Sequence, residues 1–246
     1  MNETAAGQWR IVLDEAHRAL RTAAEGIPAG AWDRSTPCER WTVTQVLQHA
    51  TGDQLAYVAA ITGGSGPQED PFAPSGRIDG DKLTGLYAAL DASALAWVSV
   101  ADEDPQVPTP LPHGALPAHT AAVAAALDAA VHAWDIAVAT GQPSPLHDDL
   151  ARALFEVARQ IVEPLRSYGA YAAALDPGAE ADDVSALLSY LGRDPRWAES
   201  RALTGPDPPR SCSIIVVVTS VPRRGHYNMV RARSSTGARG SPAGWD

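Results

Sequence analysis

Apolar residues recur along most of this chain at steps of three and four, the spacing that places side chains on one face of a helix. Trp9, Val12, Leu13, Ala16, Leu20 and Ala23 predict a first helix over residues 5–26, interrupted by Pro28 and Gly30. A second is predicted from Thr42 to Thr62, where Gly63-Gly64-Ser65-Gly66-Pro67 stops it. Its start signal is the best in the chain: Thr42 with Gln45 three residues on forms a capping box, flanked by Trp41 and Val46 as a hydrophobic staple. Leu83, Leu86, Tyr87, Leu90, Leu95 and Trp97 mark a third helix over 81–100. Pro105, Pro108, Pro110 and Pro112 then keep the chain extended or turned. A fourth helix is predicted from Pro117 to Thr140, ended by Gly141. The fifth runs over 146–168 after Ser144-Pro145, and Pro164 should kink it or end it early. A short sixth, Asp183 to Leu191, closes at Gly192.

Nothing before residue 200 alternates with the period of two that a half-buried strand needs, so the pattern predicts an all-α bundle with long second and fourth helices. The composition changes near that point from Ala- and Leu-rich to Ser-, Gly-, Pro- and Arg-rich. We divide the chain there, into a helical domain over 1–200 and a tail over 201–246. Ile214-Ile215-Val216-Val217-Val218 has strand preference, but a lone strand cannot pair its backbone groups. The tail is therefore expected to be disordered or peripheral.

At 246 residues and 45% hydrophobic, the chain is long enough for a full core. No apolar run approaches the roughly 20 residues of a membrane span, and the N-terminus lacks a basic-then-apolar leader pattern. With formal net charge −10, clustered basic contacts to phosphate are not expected. From residue 206 onward six arginines face only Asp207 and Asp246, which leaves −14 for the remainder. Cys38 and Cys212 are too few for a disulfide scaffold or a four-thiolate zinc site. These features predict a cytoplasmic globular protein with neither a nucleic-acid nor a membrane partner.

The seven histidines carry the chemistry. Asp128 and His132 stand four residues apart on the fourth helix, so both project from one face with Cβ atoms about 6 Å apart. His49, midway along the second helix, is the natural third donor for a two-His, one-carboxylate cation site with an open position. Against this stand the commoner fates of such residues: a hydrogen-bonded core histidine and a solvated helix acid. The HExxH signature is absent. The alanines around Asp128 favour the site, because they let another helix approach closely, and a carboxylate and imidazole facing that contact need a partner. Cys38 precedes the second helix, where the helix N-terminus and Arg40 would activate a nucleophile, but a small buried loop residue is the favoured reading. Arg40, Arg77, Arg166 and Arg193 are candidates for binding a substrate carboxylate, with solvated surface charge the stronger reading.

Three segments resemble a known family. Thr36-Pro37-Cys38-Glu39-Arg40-Trp41-Thr42-Val43 followed by Val46-Leu47-Gln48-His49 is similar to the opening signature of the DinB-like mycothiol-dependent maleylpyruvate isomerases. Val131-His132-Ala133-Trp134-Asp135-Ile136-Ala137 followed by Ala139-Thr140-Gly141-Gln142 is similar to their second. Leu187-Leu188-Ser189-Tyr190-Leu191-Gly192-Arg193-Asp194-Pro195 resembles the family's usual end, so the likeness covers about residues 8–197.

The resemblance implies a DinB/YfiT-like four-helix bundle with extra short helices and a divalent metal, most plausibly zinc, held by His49, Asp128 and His132. Asp128 stands where the family normally has Glu. The side chain is about one C–C bond, ~1.5 Å, shorter, against a tolerance of about 0.2 Å in metal–ligand distance. Asp53, one turn after His49, is a reserve ligand or a supporting partner, with an exposed helix acid an equal alternative; Asp135 is placed to orient His132 if the helix geometry allows. The implied activity is mycothiol-dependent isomerisation or thiol S-transfer on a small electrophile, with a low-molecular-weight thiol and a small-molecule substrate as partners and the protein a monomer or homodimer. A non-catalytic metal- or small-molecule-binding protein, a metal-assisted hydrolase and a metal-free structural bundle are the rival expectations.

Overall fold

The computed structural model describes residues 7–38, 41–167 and 169–199. Six α-helices order these residues: α1 (Gln8–Glu25), α2 (Val43–Thr62), α3 (Thr84–Val98), α4 (Ala118–Thr140), α5 (Asp148–Arg166) and α6 (Asp183–Tyr190). Among the described residues the only extended pairing is two isolated bridges, Ser35 with Thr42 and Val107 with Leu116. The all-α bundle expected from the periodicity is therefore the fold; the tail, with Ile214 to Val218, lies outside the described residues.

Helix α4 is the axis of the molecule. It packs against α1, α2 and α5, while α3 lies on α2 and α6 on α5. Its sequence explains that position. Ala121, Ala122, Ala125, Ala126, Ala129, Ala130 and Ala133 are all fully buried, and small side chains on several faces let three neighbours approach one rod closely. The helix is long and apolar enough to cross a membrane by length and composition, which the reading of the apolar runs had not anticipated; 94% of its most apolar 18-residue window is buried inside the bundle.

The helix limits follow local chemistry. The capping box at α2 is present: Thr42 accepts from the Gln45 backbone N–H, and the Thr42 N–H donates to the Gln45 side chain at 3.0 Å. Gly63 and Gly141 end α2 and α4 in the left-handed conformation, at φ 71° and 80°. Two expected starts shift. Helix α3 begins at Thr84 rather than 81, because Asp81 stays outside and accepts from the Leu83 N–H and the Thr84 hydroxyl. Helix α5 begins at Asp148, with the His147 ring rather than Ser144 accepting from the Leu150 N–H. Pro164 lies inside α5, which ends two residues later at Arg166.

Candidate metal centre

His49, Asp128 and His132 come together at the contact of α2 with α4, all three buried. Asp128 Oδ1 is 3.4 Å from His132 Nε2 and 3.7 Å from His49 Nε2. The three donor atoms lie within 4.8 Å of one another, and the two rings meet edge-on with centroids 4.9 Å apart. Donors about 2.0–2.2 Å from a tetrahedral ion stand roughly 3.3–3.5 Å apart, and the separations of Asp128 Oδ1 from the two nitrogens, 3.4 and 3.7 Å, are close to that size.

Each imidazole is anchored through its other nitrogen. His49 Nδ1–H donates to the Pro71 carbonyl at 2.8 Å, and His132 Nδ1–H donates to Asp135 Oδ2 at 2.9 Å. With the proton held on Nδ1, each Nε2 presents its lone pair to the common point, the arrangement metal-ligating histidines use. Among the described residues, His49 Nε2, His132 Nε2 and both Asp128 oxygens find no hydrogen-bond partner. A buried cluster of unsatisfied acceptors calls for a cation or a proton. Trp41 and Phe72 flank the His49 ring, with centroids 4.6 and 5.8 Å away.

A proton fills part of that need when no cation does. Burial drives His132 down, but the Asp128 and Asp135 carboxylates outweigh it and raise the imidazole to about 9. Burial drives Asp128 up, and the two histidines outweigh this and hold it well below the usual carboxylate range. His49 goes the other way: its burial outweighs Asp128 and lowers it. One histidine thus carries the proton.

Asp53 is fully buried, which excludes the exposed-acid alternative. It lies against Asp128, and burial and then that neighbouring charge push its carboxyl well above the usual range. The neutral acid can donate its one proton to Asp128, which satisfies one of the two oxygens that otherwise lack a donor. Asp53 is not part of the trio whose donors fall within 4.8 Å. Tyr57, one further turn along α2, also faces this acidic pair and its buried hydroxyl has no hydrogen-bond partner among the described residues. His49, Asp53 and Tyr57 share one face at four-residue steps; the sequence reading had the first step and missed Tyr57, which continues it.

Asp135 does orient His132, and it is itself held by Arg193 through two contacts, Nε to Oδ1 at 2.9 Å and Nη2 to Oδ2 at 2.8 Å. Arg193 is 1% exposed. The reading of Arg193 as a solvated surface charge is thereby corrected: a buried carboxylate recruits it inward. Arg166 is also not a free surface charge, since its guanidinium bonds Glu163 and the carbonyls of Ala172 and Tyr190. Arg77 is exposed, and Arg40 lies outside the described residues. Cys38 is a buried loop residue, as favoured.

The remaining histidines stand apart. His17 is a neutral core residue, lowered chiefly by burial, whose Nε2 shares Gln54 Oε1 with the Ser93 hydroxyl, each at 2.9 Å. His119 and His147 are exposed, His113 is half-buried, and His226 is outside the described residues. A groove of about 600 Å³ lies between α2, α3 and the loop at 65–71, lined by Gln48, Gly52, Glu69, Pro71 and Lys82. None of the trio lines it; Pro71, whose carbonyl anchors His49, is the shared wall.

The model of the mycothiol maleylpyruvate isomerase N-terminal domain matches residues 13–137, a stretch that contains His49, Asp128 and His132. The chain belongs to this family. Uncharacterized proteins of Mycobacterium tuberculosis, from strains CDC 1551 / Oshkosh and ATCC 25618 / H37Rv, are each 31% identical to it over 165 residues, covering 65% of this chain and 84% of the relative. No solved structure matches the chain. The matched stretch includes both α2 and α4, the two helices that bring the trio together.

Proposed function

We propose that His49, Asp128 and His132 hold one divalent cation, zinc by the preference of this donor set, and that the protein uses it for thiol chemistry on a small electrophilic substrate. The carrying observation is the convergence of two Nε2 lone pairs and a carboxylate, with both Nδ1 protons tied off behind them. A divalent ion in such a site, with one position left to an exogenous ligand, supplies a thiolate at neutral pH. Mycothiol is the thiol that the family's name points to.

The chain's own residues do the rest. Pro71 and Asp135 keep the two rings aimed, so little reorganisation accompanies loading. Trp41 and Phe72 keep water from His49. Asp53, held neutral, is the acid nearest the centre that can return a proton. A thiolate held there would supply a nucleophile for a conjugated double bond; its departure after rotation would leave the isomer, and a proton delivered to carbon, with Asp53 the nearest acid, would leave the thioether.

The test is zinc-loaded protein with a thiol and an electrophilic enoic acid, with the geometric isomer and the thioether each resolved by chromatography. Thiol-dependent turnover is expected, abolished in His49→Ala and His132→Ala together with bound zinc. A full metal complement with no thiol-dependent turnover would sink the enzymatic reading. The near-complete burial of all three donors favours one alternative, a non-catalytic metal-binding protein; zinc binding that a thiol does not perturb is its signature. Turnover without any thiol would instead identify metal-assisted hydrolysis.

A further inference from the structure

We propose that Arg193 is a positioning residue for the centre: through Asp135 it fixes the ring of His132, so that docking of the α6 segment and cation binding favour one another. The inference rests on the metal reading above and concerns a residue that lies outside the 13–137 stretch matched by the family model.

The chain of contacts is continuous and dry. Arg193 reaches both oxygens of Asp135, at 2.9 and 2.8 Å, and the second oxygen also accepts the His132 Nδ1 proton at 2.9 Å. His132 Nε2 then faces Asp128 at 3.4 Å. Arg193, Asp135 and His132 are all at most 1% exposed. A bidentate guanidinium–carboxylate pair sets the plane of the carboxylate as well as its position. Asp135 is therefore unable to rotate away from His132 without breaking two charged contacts. Without Arg193 it would be a buried anion whose only other partner is that ring, free to swing or to take up a proton. Either change releases His132 from the orientation in which Nε2 meets Asp128 and His49.

Backbone structure aims Arg193 inward. Helix α6 is capped at its start by Asp182, which accepts from the Ser185 N–H at 2.7 Å. At its end the chain reverses through Gly192 at φ +81°, with the Gly192 N–H donating to Ser189 O and the Arg193 N–H to Leu188 O. A Cβ at Gly192 would lie 2.7 Å from Ala172 Cβ and 2.9 Å from Ala173 O, so both conformation and space require glycine there. Leu187, Leu188 and Leu191 seat the segment in the core. Undocking of this segment withdraws the guanidinium, and the site loses its brace. By linkage, a cation that needs the braced His132 must stabilise the docked segment equally.

The experiment uses the full chain and zinc alone. Zinc dissociation constants are measured by competition with a chromophoric chelator for wild type, Arg193→Gln, Arg193→Lys, Asp135→Asn and the double variant Arg193→Gln/Asp135→Asn. Hydrogen exchange of the Leu187–Arg193 amides is followed with and without zinc. Arg193→Gln and Asp135→Asn are each expected to weaken zinc about 10–100-fold. The double variant should be no weaker than the worse single, because both changes cut one chain, and lysine should restore part of the loss. Zinc should slow exchange in the α6 segment of wild type but not of Arg193→Gln. Unchanged zinc affinity in Arg193→Gln, or additive losses in the double variant, overturns the proposal. Should Arg193→Gln fail to fold, the wild-type exchange decides: no slowing of the Leu187–Arg193 amides by zinc overturns it. If wild type binds no zinc at all, the metal reading and this inference fall together, whereas wild-type binding with an indifferent Arg193 removes this inference only.

Discussion

Gly52 shows how a single missing methyl group positions a ligand three residues away. A Cβ there would lie 2.9 Å from Pro71 Cβ, closer than side-chain carbons approach. The glycine lets the 65–71 loop close on α2, and that closure delivers the Pro71 carbonyl to His49 Nδ1 at 2.8 Å. Gly52→Ala must push the loop outward. We expect a loss of about 1–3 kcal/mol in urea unfolding, the range for an overpacked contact, with a weakening of zinc binding of at least several-fold as the ring loses its anchor. An alanine variant with wild-type zinc affinity would show that Pro71 is not what aims His49. His49, Asp128 and His132 were legible in the sequence because the i, i+4 pair and the mid-helix histidine sit where helical periodicity is strong. Pro71 and Arg193 were not: one is a loop carbonyl 22 residues from its partner, the other a charge 58 residues from Asp135, and neither separation leaves a periodic trace. For Arg193 the statistical expectation of solvation pointed the wrong way, and only the buried carboxylate beneath it explains its place.

Among the helices, those with an explicit start signal were placed best. The capping box at Thr42 puts the first residue of α2 at Val43. Helix α5 starts later than expected because the His147 ring accepts from the Leu150 N–H, a cap that apolar periodicity alone does not distinguish from the helix itself. Helix α3 has no side-chain cap; Asp81 instead holds the turn before it through the Leu83 N–H and the Thr84 hydroxyl. The α2 cap also has a functional consequence. It holds the first turn of the helix that carries His49, Asp53 and Tyr57 on one face, toward α4. Thr42→Ala removes the side-chain acceptor for the Gln45 N–H and should lower stability by about 1 kcal/mol. Zinc affinity should stay within about threefold, since the tertiary packing of Val43, Val46 and Leu47 still holds the helix. Chemical denaturation read beside chelator competition separates the two effects. A large loss of zinc binding would mean that the cap, rather than the packing, sets the register.

Among the described residues, the core runs from Trp9 in α1 to Trp197 packed beyond α6, and the candidate centre lies inside that span. Removing residues 206–246 is accordingly expected to leave cooperative unfolding and zinc binding intact; a large drop in melting temperature would place part of the core in that stretch.

The buried charges give the bundle a pH dependence that metal should erase. In the metal-free protein His132 is raised from 6.5 to about 9, so the folded state binds its proton more tightly than the unfolded one. The resulting stability is fully present below about pH 6.5 and is lost as pH rises through 9. Asp53, raised well above its ordinary value chiefly by burial, acts in the same direction from a lower pH upward. Asp128 and Asp135, both lowered, act oppositely, and their contribution disappears as pH falls below the ordinary carboxylate range. Metal-free protein should therefore melt at steadily lower temperature between about pH 6.5 and 9. A cation on His132 Nε2 replaces that proton, so zinc affinity should rise up to about tenfold per pH unit over the same interval, and the zinc-induced gain in melting temperature should widen with it. Thermal melts with and without zinc at half-unit steps from pH 6 to 9 read both trends at once. In His132→Ala both slopes should flatten toward those left by Asp53 alone. Parallel melting curves at every pH, with zinc bound throughout, would mean that His132 is unprotonated before the cation arrives, and that the Asp128 charge is met by another proton on the α2 side, with Asp53 the nearest donor.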